Sequence, residues 1–364
     1  MKPNSAAPRS SPGARPPDQP IAPGGAGNLL AGSPSAGGAM GRNALYTTHM
    51  LPWLQRYGSF LALVILVIAT SVISPNFLTE LNIRLQLQTF CLSYALIGVG
   101  QALVILTGGI DLSVGAVLAV GSCSAAVLMN NGYGTVVAFA LPMLLCAVLG
   151  GFSGVVIAKT GIQPIVVTLA VMIAARGVAE TIASAGVTYI QDQNFITYAT
   201  TNYGPIPIIG LIPMSVILTA IIYLAAGFFL ARTVAGRYIF AVGGNERATR
   251  LAGIPVDRVK ILVYVISGLL AGLAGVLYAS HNSTADPFND GLYFELQSIA
   301  MVVVGGTSLL GGSGGIGKTL IGGLILTVLY ALFIQAGWPT QTQLIANGVI
   351  VAGAVILQGG LGRR

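Results

Sequence analysis

The chain has 364 residues, of which only 7% are charged and 54% are apolar, with 49 glycines and a mean hydropathy of +0.83. Soluble domains carry about 25% charged residues, so a water-exposed globule is excluded and helices that meet lipid are required. The net charge of +7 would point to nucleic acid in a soluble protein; in a membrane protein the position of each charge matters more than the sum, and no nucleic-acid partner is expected.

Residues 1–49 are rich in Pro, Gly, Ala and Ser. Such a segment cannot bury a core and is expected to be a disordered cytoplasmic tail; it also lacks the apolar stretch of a signal peptide. Residues 50–364 are the expected membrane domain, in which charge-free runs mark the spans, each needing about 20 apolar residues. The first lies in 57–79 and the second in 85–110. From Leu112 to Ala158 there is no charge at all, and Asn130-Asn131-Gly132-Tyr133-Gly134 divides this run into the third and fourth spans. The fifth covers 163–183. A polar stretch, 184–210, carries Asp192, Pro205 and Pro207. The sixth span, 211–231, leads into a charged loop, 232–260. The seventh is 261–280 and the eighth 296–310, and the run 319–362 holds the ninth and tenth on either side of Gly337-Trp338-Pro339. The expected fold is an all-α, polytopic bundle of about ten transmembrane helices.

An even count puts both termini on one side, and positive residues choose the cytoplasm. With the termini inside, 15 of the 17 basic residues fall on inner segments, among them Arg56, Lys159, Lys318 and six in the 232–260 loop. Arg84 faces out and Arg176 lies within a span. The outer segments carry Glu80, Asp192, Asp286, Asp290 and Glu295 instead.

Some residues break the apolar pattern. Cys91, Cys123 and Cys146 lie inside apolar runs without metal-ligand spacing, and His49 and His281 are far apart, so no metal site is expected. Thr107, Gly108, Gly109, Asp111 and Ser113 stand between the second and third spans. A lone carboxylate at mid-bilayer costs roughly 2.5–3.5 kcal/mol on insertion scales and must be paired, wet or interfacial. The glycines permit a break in the helix, where freed backbone groups need partners. Asp111 is thus either part of a broken helix near the pathway or a cap on the third span. Arg176 and Glu180, four apart, fall on one helical face and can pair, as a structural ion pair or as a polar element of the pathway.

Gly312, Gly317, Lys318 and Thr319 complete the phosphate-binding pattern G-x-x-x-x-G-K-[ST]. That pattern needs a preceding strand and a soluble nucleotide domain. Here it joins two membrane spans, with no apolar run ending in Asp downstream, and it is read as a decoy. In the 232–260 loop, Asn245 caps an expected short helix that Gly253 and Pro255 end, and this helix is a natural handle for a cytoplasmic partner.

The segment Leu106-Thr107-Gly108-Gly109-Ile110-Asp111-Leu112-Ser113-Val114-Gly115 strongly resembles the signature of bacterial sugar ABC-transporter permeases of the ribose type, within the branched-chain amino acid/ribose permease superfamily. Gly243-Gly244-Asn245-Glu246 through Arg250-Leu251-Ala252-Gly253-Ile254, Ser267 to Gly275, and Val304 to Gly312 resemble further motifs of that family. The resemblance implies a non-catalytic permease subunit in the inner membrane. Its partners would be a cytoplasmic ATP-binding subunit, a periplasmic sugar-binding protein and a second permease copy, identical or a close paralogue. It also implies that Gly244, Asn245, Glu246, Arg250, Leu251 and Gly253 form the coupling region against the ATPase. The family's Gly-rich turn usually lacks Gly-Lys-Thr, in keeping with a decoy at Lys318.

The chain has no residue set for covalent or acid–base catalysis, so no enzyme activity and no cofactor are expected and its work must be conformational. A neutral monosaccharide such as ribose or xylose is the expected cargo. The rivals are a branched-chain amino acid permease of the same superfamily and an ion-coupled transporter; the latter normally places ionisable residues at the midplane.

Overall fold

The computed structural model describes the backbone of residues 40–206 and 210–361. Of the expected tail, residues 1–39 lie outside the described residues. The chain divides into two units, residues 1–50 and Leu51–Arg364. A helix, α1 (Met40–Ile73), already runs through the last residues of the expected tail.

The helices α2 (Glu80–Phe90) and α3 (Leu96–Leu106) are one continuous rod joined by a π turn at Cys91–Ala95. Its 27 residues reach about 40 Å, enough for a hydrocarbon core of about 30 Å. Then come α4 (Val114–Asn130), α5 (Thr135–Thr160) and α6 (Pro164–Ile182). Gly161, left-handed at φ 68°, stops α5, and Pro164 at the first turn starts α6.

The expected polar stretch 184–210 is more ordered than a loop. It holds β1 (Thr188–Tyr189), the helix α7 (Gln193–Thr200) and a hairpin of β2 (Asn202–Ile206) and β3 (Gly210–Pro213). Asp192 caps α7 by accepting from the Phe195 amide, and the Phe195 ring is fully buried. One apolar anchor and one cap therefore fold a segment whose composition reads as connector.

The second half comprises α8 (Met214–Arg232), α9 (Val234–Gly244), the short α10 (Glu246–Leu251) and the long α11 (Val256–Asn282). After β4 (Thr284–Ala285), which pairs antiparallel with β1, come α12 (Phe294–Val304), α13 (Ile316–Gln335) and α14 (Thr340–Leu361). Six helices among the described residues are long and apolar enough to cross a membrane: α2–α3, α5, α6, α8, α11 and α13. Tyr57–Ile73, α4 and α12 are apolar but shorter. The eighth expected span, 296–310, is helical only to Val304, because Gly305 and Gly306 open a loop there.

The core is built around α11, which lies against α3, α4 and α5. Small residues let the backbones touch, as expected where no hydrophobic force drives helices together. A Cβ on Gly268 would strike the Cys146 carbonyl oxygen of α5, and one on Gly275 would strike the Leu118 carbonyl oxygen of α4. Cys91, Cys123 and Cys146 are free thiols buried in this packing.

Candidate functional site

The signature segment breaks the chain between α3 and α4. Gly108 adopts φ 80°, a left-handed conformation that glycine takes without penalty, and the chain doubles back into the protein. Several polar groups of the corner find partners within the fold. The Gly109 amide donates to the Val104 carbonyl (3.1 Å) and the Thr107 hydroxyl to the same oxygen (2.7 Å). The Ile110 carbonyl accepts from Thr168 (3.3 Å) and from the Tyr264 hydroxyl (3.4 Å). The Tyr264 hydroxyl fits there because a Cβ on Gly109 would stand 2.8 Å from it.

Asp111 is 1% exposed. Its Oδ1 accepts from the Ser113 amide (2.9 Å) and hydroxyl (2.6 Å), and its Oδ2 accepts from the Ser267 hydroxyl (2.9 Å). The carboxylate thus braces Ser113, the residue that starts α4, and ties it across to α11. Ser267 lies eleven residues beyond Val256, about 16 Å into a helix about 40 Å long. The break therefore reaches the middle of the bundle. Asp111 thus organises the residue before α4, inside the break between α3 and α4, and bonds no amide of the first turn of α4 among the described residues.

A second break faces the first. The segment 286–293 leads into α12, and Gly291 packs so closely on Gly115 of α4 that neither could carry a Cβ. Asp290 binds the Ser122 hydroxyl of α4 and the Asp286 amide (3.0 Å). Arg176 belongs to this second break. Its Nη1 donates to the carbonyls of Pro287 (2.8 Å) and Asp290 (2.9 Å). The expected pair with Glu180 does not form among the described residues, because two backbone acceptors at a buried turn satisfy the guanidinium instead.

At the α9–α10 end, three glycine-rich segments converge. A Cβ on Gly243 would overlap the Leu106 carbonyl oxygen at the end of α3. That oxygen accepts the Gly312 amide at 3.0 Å. A Cβ on Gly312 would stand 2.8 Å from the Gly244 Cα. The end of α3, the end of α9 and the loop before α13 are thus in direct backbone contact. Immediately after this joint, Asn245 caps α10 by accepting from the Ala248 amide at 3.0 Å, as its spacing predicts. The helix ends at Leu251, and Gly253 turns at φ 80° into α11.

An ion-pair cluster locks α10 to α11: Lys260 to Glu246 (2.8 Å), Arg250 to Asp257 (2.8 Å) and Arg250 to Glu246 (3.4 Å). Burial pushes the Glu246 carboxyl up, but the hydrogen bonds and charges of Lys260 and Arg250 outweigh it and hold the group below its ordinary range. Leu251, at 90% exposure, and Leu310, at 88%, are left bare at this end.

The nucleotide-like motif has its groups engaged within the fold. The Gly312 amide is given to Leu106, the Gly315 amide to the Thr307 hydroxyl (3.3 Å), the Thr319 hydroxyl to the Gly315 carbonyl, and Lys318 Nζ to the Gly306 carbonyl (3.3 Å). Gly317 sits in the first turn of α13. A helix, α12, precedes the loop, where the phosphate-binding pattern has a strand.

Sequence reasoning missed Tyr264, Ser267, Ser122 and the Gly243–Gly312 contact. Tyr264, Ser267 and the two glycines lie in or beside the four motifs, where a Ser or Tyr amid apolar residues marks a donor for a nearby break; Ser122 lies seven residues beyond Gly115 and had only its hydroxyl as a signal.

Residues 83–358 match the family model described as branched-chain amino acid transport system / permease component. The chain is 40% identical over 310 residues to the ribose import permease protein RbsC of Escherichia coli K12, covering 84% of this chain and 94% of that one. It is 40% identical over 316 residues to the protein of the same name in Bacillus subtilis, covering 84% and 92%. To the D-allose transport system permease protein AlsC of Escherichia coli K12 it is 34% identical over 304 residues, covering 83% and 91%. No solved structure matches. The four motifs, the broken helix they build and a match spanning both breaks and the joint make the chain a member of the branched-chain amino acid transport system permease family, and the relatives just described are permeases named for sugars.

Proposed function

We propose that this chain is the membrane-spanning permease of an ATP-driven importer for a neutral monosaccharide, with ten spans and both termini in the cytoplasm of a bacterial inner membrane. Six long apolar helices, three shorter apolar ones and α14 make ten and support the count. Lys159, Arg232, Arg250 and Lys260 gather at the α9–α10 end, while Asp192 and Asp286 belong to the opposite half, which supports the orientation. The shorter helices α4 (17 residues) and α12 (11 residues) complete their crossings through the broken segments 107–113 and 286–293 that lead into them. The permease carries no nucleotide chemistry of its own. It works with a cytoplasmic ATP-binding subunit, a periplasmic sugar-binding protein and a second permease copy.

The observation that carries the reading is the glycine joint. The ATPase grips α10 through Asn245, Glu246, Arg250, Leu251 and Gly253, with the bare Leu251 and Leu310 as apolar contacts. Motion of α10 passes through Gly243–Gly244 to the end of α3 and to the loop before α13, hence to the Thr107–Ser113 break and its tie at Asp111. Ribose-class sugars are favoured over amino acids by the relatives' names.

Leu251→Asp tests this. Leu251 touches nothing that holds the fold, so the permease remains intact, but its copurification with the ATPase falls at least tenfold and ATP-dependent sugar uptake into proteoliposomes is lost. Undiminished association and uptake would remove α10 from the coupling surface.

A further inference from the structure

A cavity of about 520 Å³ lies between the π turn, α12, α13 and α14; among the described residues its lining shares Tyr293 with the end of the second break and no residue with the first break or the joint. Its lining includes Tyr94, Tyr293, Gln297, Tyr330, Gly348 and Ala352. The space exists because α14 presents Gly348 and Ala352, four apart on one face, where larger residues would fill it. A Cβ on Gly348 would meet nothing within 4 Å. Among the described residues no charged side chain lines it. The Oε1 of Gln297 is shielded from solvent and accepts no hydrogen bond among the described residues. A buried acceptor without a donor is costly and calls for a donor from outside the chain.

We infer that this cavity is a transit site for the neutral monosaccharide, an inference that rests on the sugar-permease reading. The volume falls within the range of about 300–1,000 Å³ usual for small-molecule sites, with room for one sugar ring and some water. Three tyrosines, Tyr94, Tyr293 and Tyr330, line it, and a tyrosine combines an apolar ring that suits the C–H side of a sugar with a hydroxyl that can bond its rim. The Gln297 oxygen accepts one sugar hydroxyl. The lack of a charge or metal keeps the hold weak, as a transit site needs, and disfavours zwitterionic amino acids, whose charged ends would find no partner. A lipid tail would suit the apolar walls but would leave Gln297 without a donor.

The test uses the whole transporter, permease with its ATPase and binding protein, in proteoliposomes supplied with radiolabelled ribose, allose or arabinose. Gly348→Trp fills the void without striking backbone, so the complex still assembles, and uptake falls at least tenfold. Gln297→Leu keeps the side chain's size and removes the acceptor, and it shifts the ratio of ribose to arabinose uptake at least threefold. Gly348→Cys becomes reactive to a charged, water-soluble methanethiosulfonate reagent, and the reaction blocks uptake; the native thiols are buried and stay silent. Wild-type uptake by Gly348→Trp overturns the site. If that variant does not assemble, the cysteine decides: reaction with a membrane-soluble maleimide alone means that lipid or a partner helix fills the cavity, and the site is overturned. Wild-type vesicles that take up none of the three sugars overturn the sugar reading itself, and the site with it, whereas wild-type uptake with unaffected variants overturns the site alone.

Discussion

The rod formed by α2 and α3 and the helix α5 are nearly equal in length and similarly apolar, yet 89% of the apolar stretch of the first is buried inside the protein against 28% of the second. Hydropathy identifies both as membrane helices and cannot say which is central, since lipid and protein interior are alike to a leucine. What separates them is where glycine and hydroxyl side chains fall. In α3, a Cβ on Gly98 would overlap Met301 of α12 and one on Gly100 would stand 2.8 Å from the Ser267 Cα of α11, so two neighbours close in along one rod. In α5, the close approaches at Gly150 and Gly154 are both to α11, and the other flank shows Leu144, Val148 and Phe152 to the surroundings.

The sharpest way to break this comparison is to give contact glycines and open glycines the same side chain. A Cβ on Gly150 would strike the Tyr264 carbonyl oxygen, whereas one on Gly177 of α6 would meet nothing within 4 Å. Gly150→Leu should cost about 3 kcal/mol or more through overpacking against backbone, seen as loss of monodisperse protein in detergent or a large drop in Tm. Gly177→Leu should leave Tm nearly unchanged. Equal effects would mean that glycine contact does not define the centre.

Much of this was legible in the sequence. Charge-free runs placed most of the helices to within a few residues, because a helix that meets lipid cannot hide its length; the exceptions are α1, which begins at Met40 and not near 57, and α12, which ends at Val304 and not near 310. Asn245 was readable as the cap of α10, because capping is local. What was not legible was pairing across the chain. Arg176 and Glu180 share a helical face, but the better acceptors for Arg176 lie more than a hundred residues away at Pro287 and Asp290. Likewise the partner of Asp111 on α11 is Ser267, and nothing in the spacing of either segment names the other. The stretch 184–210 was underestimated for the same reason, since Phe195 finds its neighbours Phe139 and Ser280 only in the fold.

The second effect in size concerns the corner at Asp111. Asp111→Leu would orphan the Ser113 amide, the Ser113 hydroxyl and the Ser267 hydroxyl together. A buried donor left without a partner costs about 1–3 kcal/mol. Because the three groups share one site and relax together, a net loss of about 2–3 kcal/mol is expected, with uptake abolished. Asp111→Asn keeps one carbonyl acceptor and should lose less than half as much stability, as measured by denaturation in detergent. A third and smaller loss, about 2 kcal/mol, is expected for Arg176→Met, since hydrogen bonds from a charged group contribute about 1.5–3 kcal/mol. Its signature is local: proteolysis or hydrogen exchange should rise in the 286–293 segment and leave α10 unchanged. A uniform rise would show that Arg176 supports the bundle as a whole and not the second break.

The smallest effect lies at the exposed end of the molecule. Glu246 is bound by Lys260 and Arg250 in a cluster that water reaches, with 43% of its side chain exposed. Such pairs are worth about 0.2–1 kcal/mol and are screened by salt, so Glu246→Gln should lower Tm only slightly, far less than Asp111→Leu. The pH dependence gives this small term a sign. The folded carboxyl is held below its unfolded range, so its stabilisation is fully present above the unfolded value of about 4.3 and is lost as pH falls through the folded value. Wild type and Glu246→Gln should therefore differ most at neutral pH in low salt, and their Tm values should converge in acid or in about 1 M salt. A gap that widened on acidification would mean that Glu246 is more stable protonated in the fold, and the cluster between α10 and α11 would then have to be held by something other than charge.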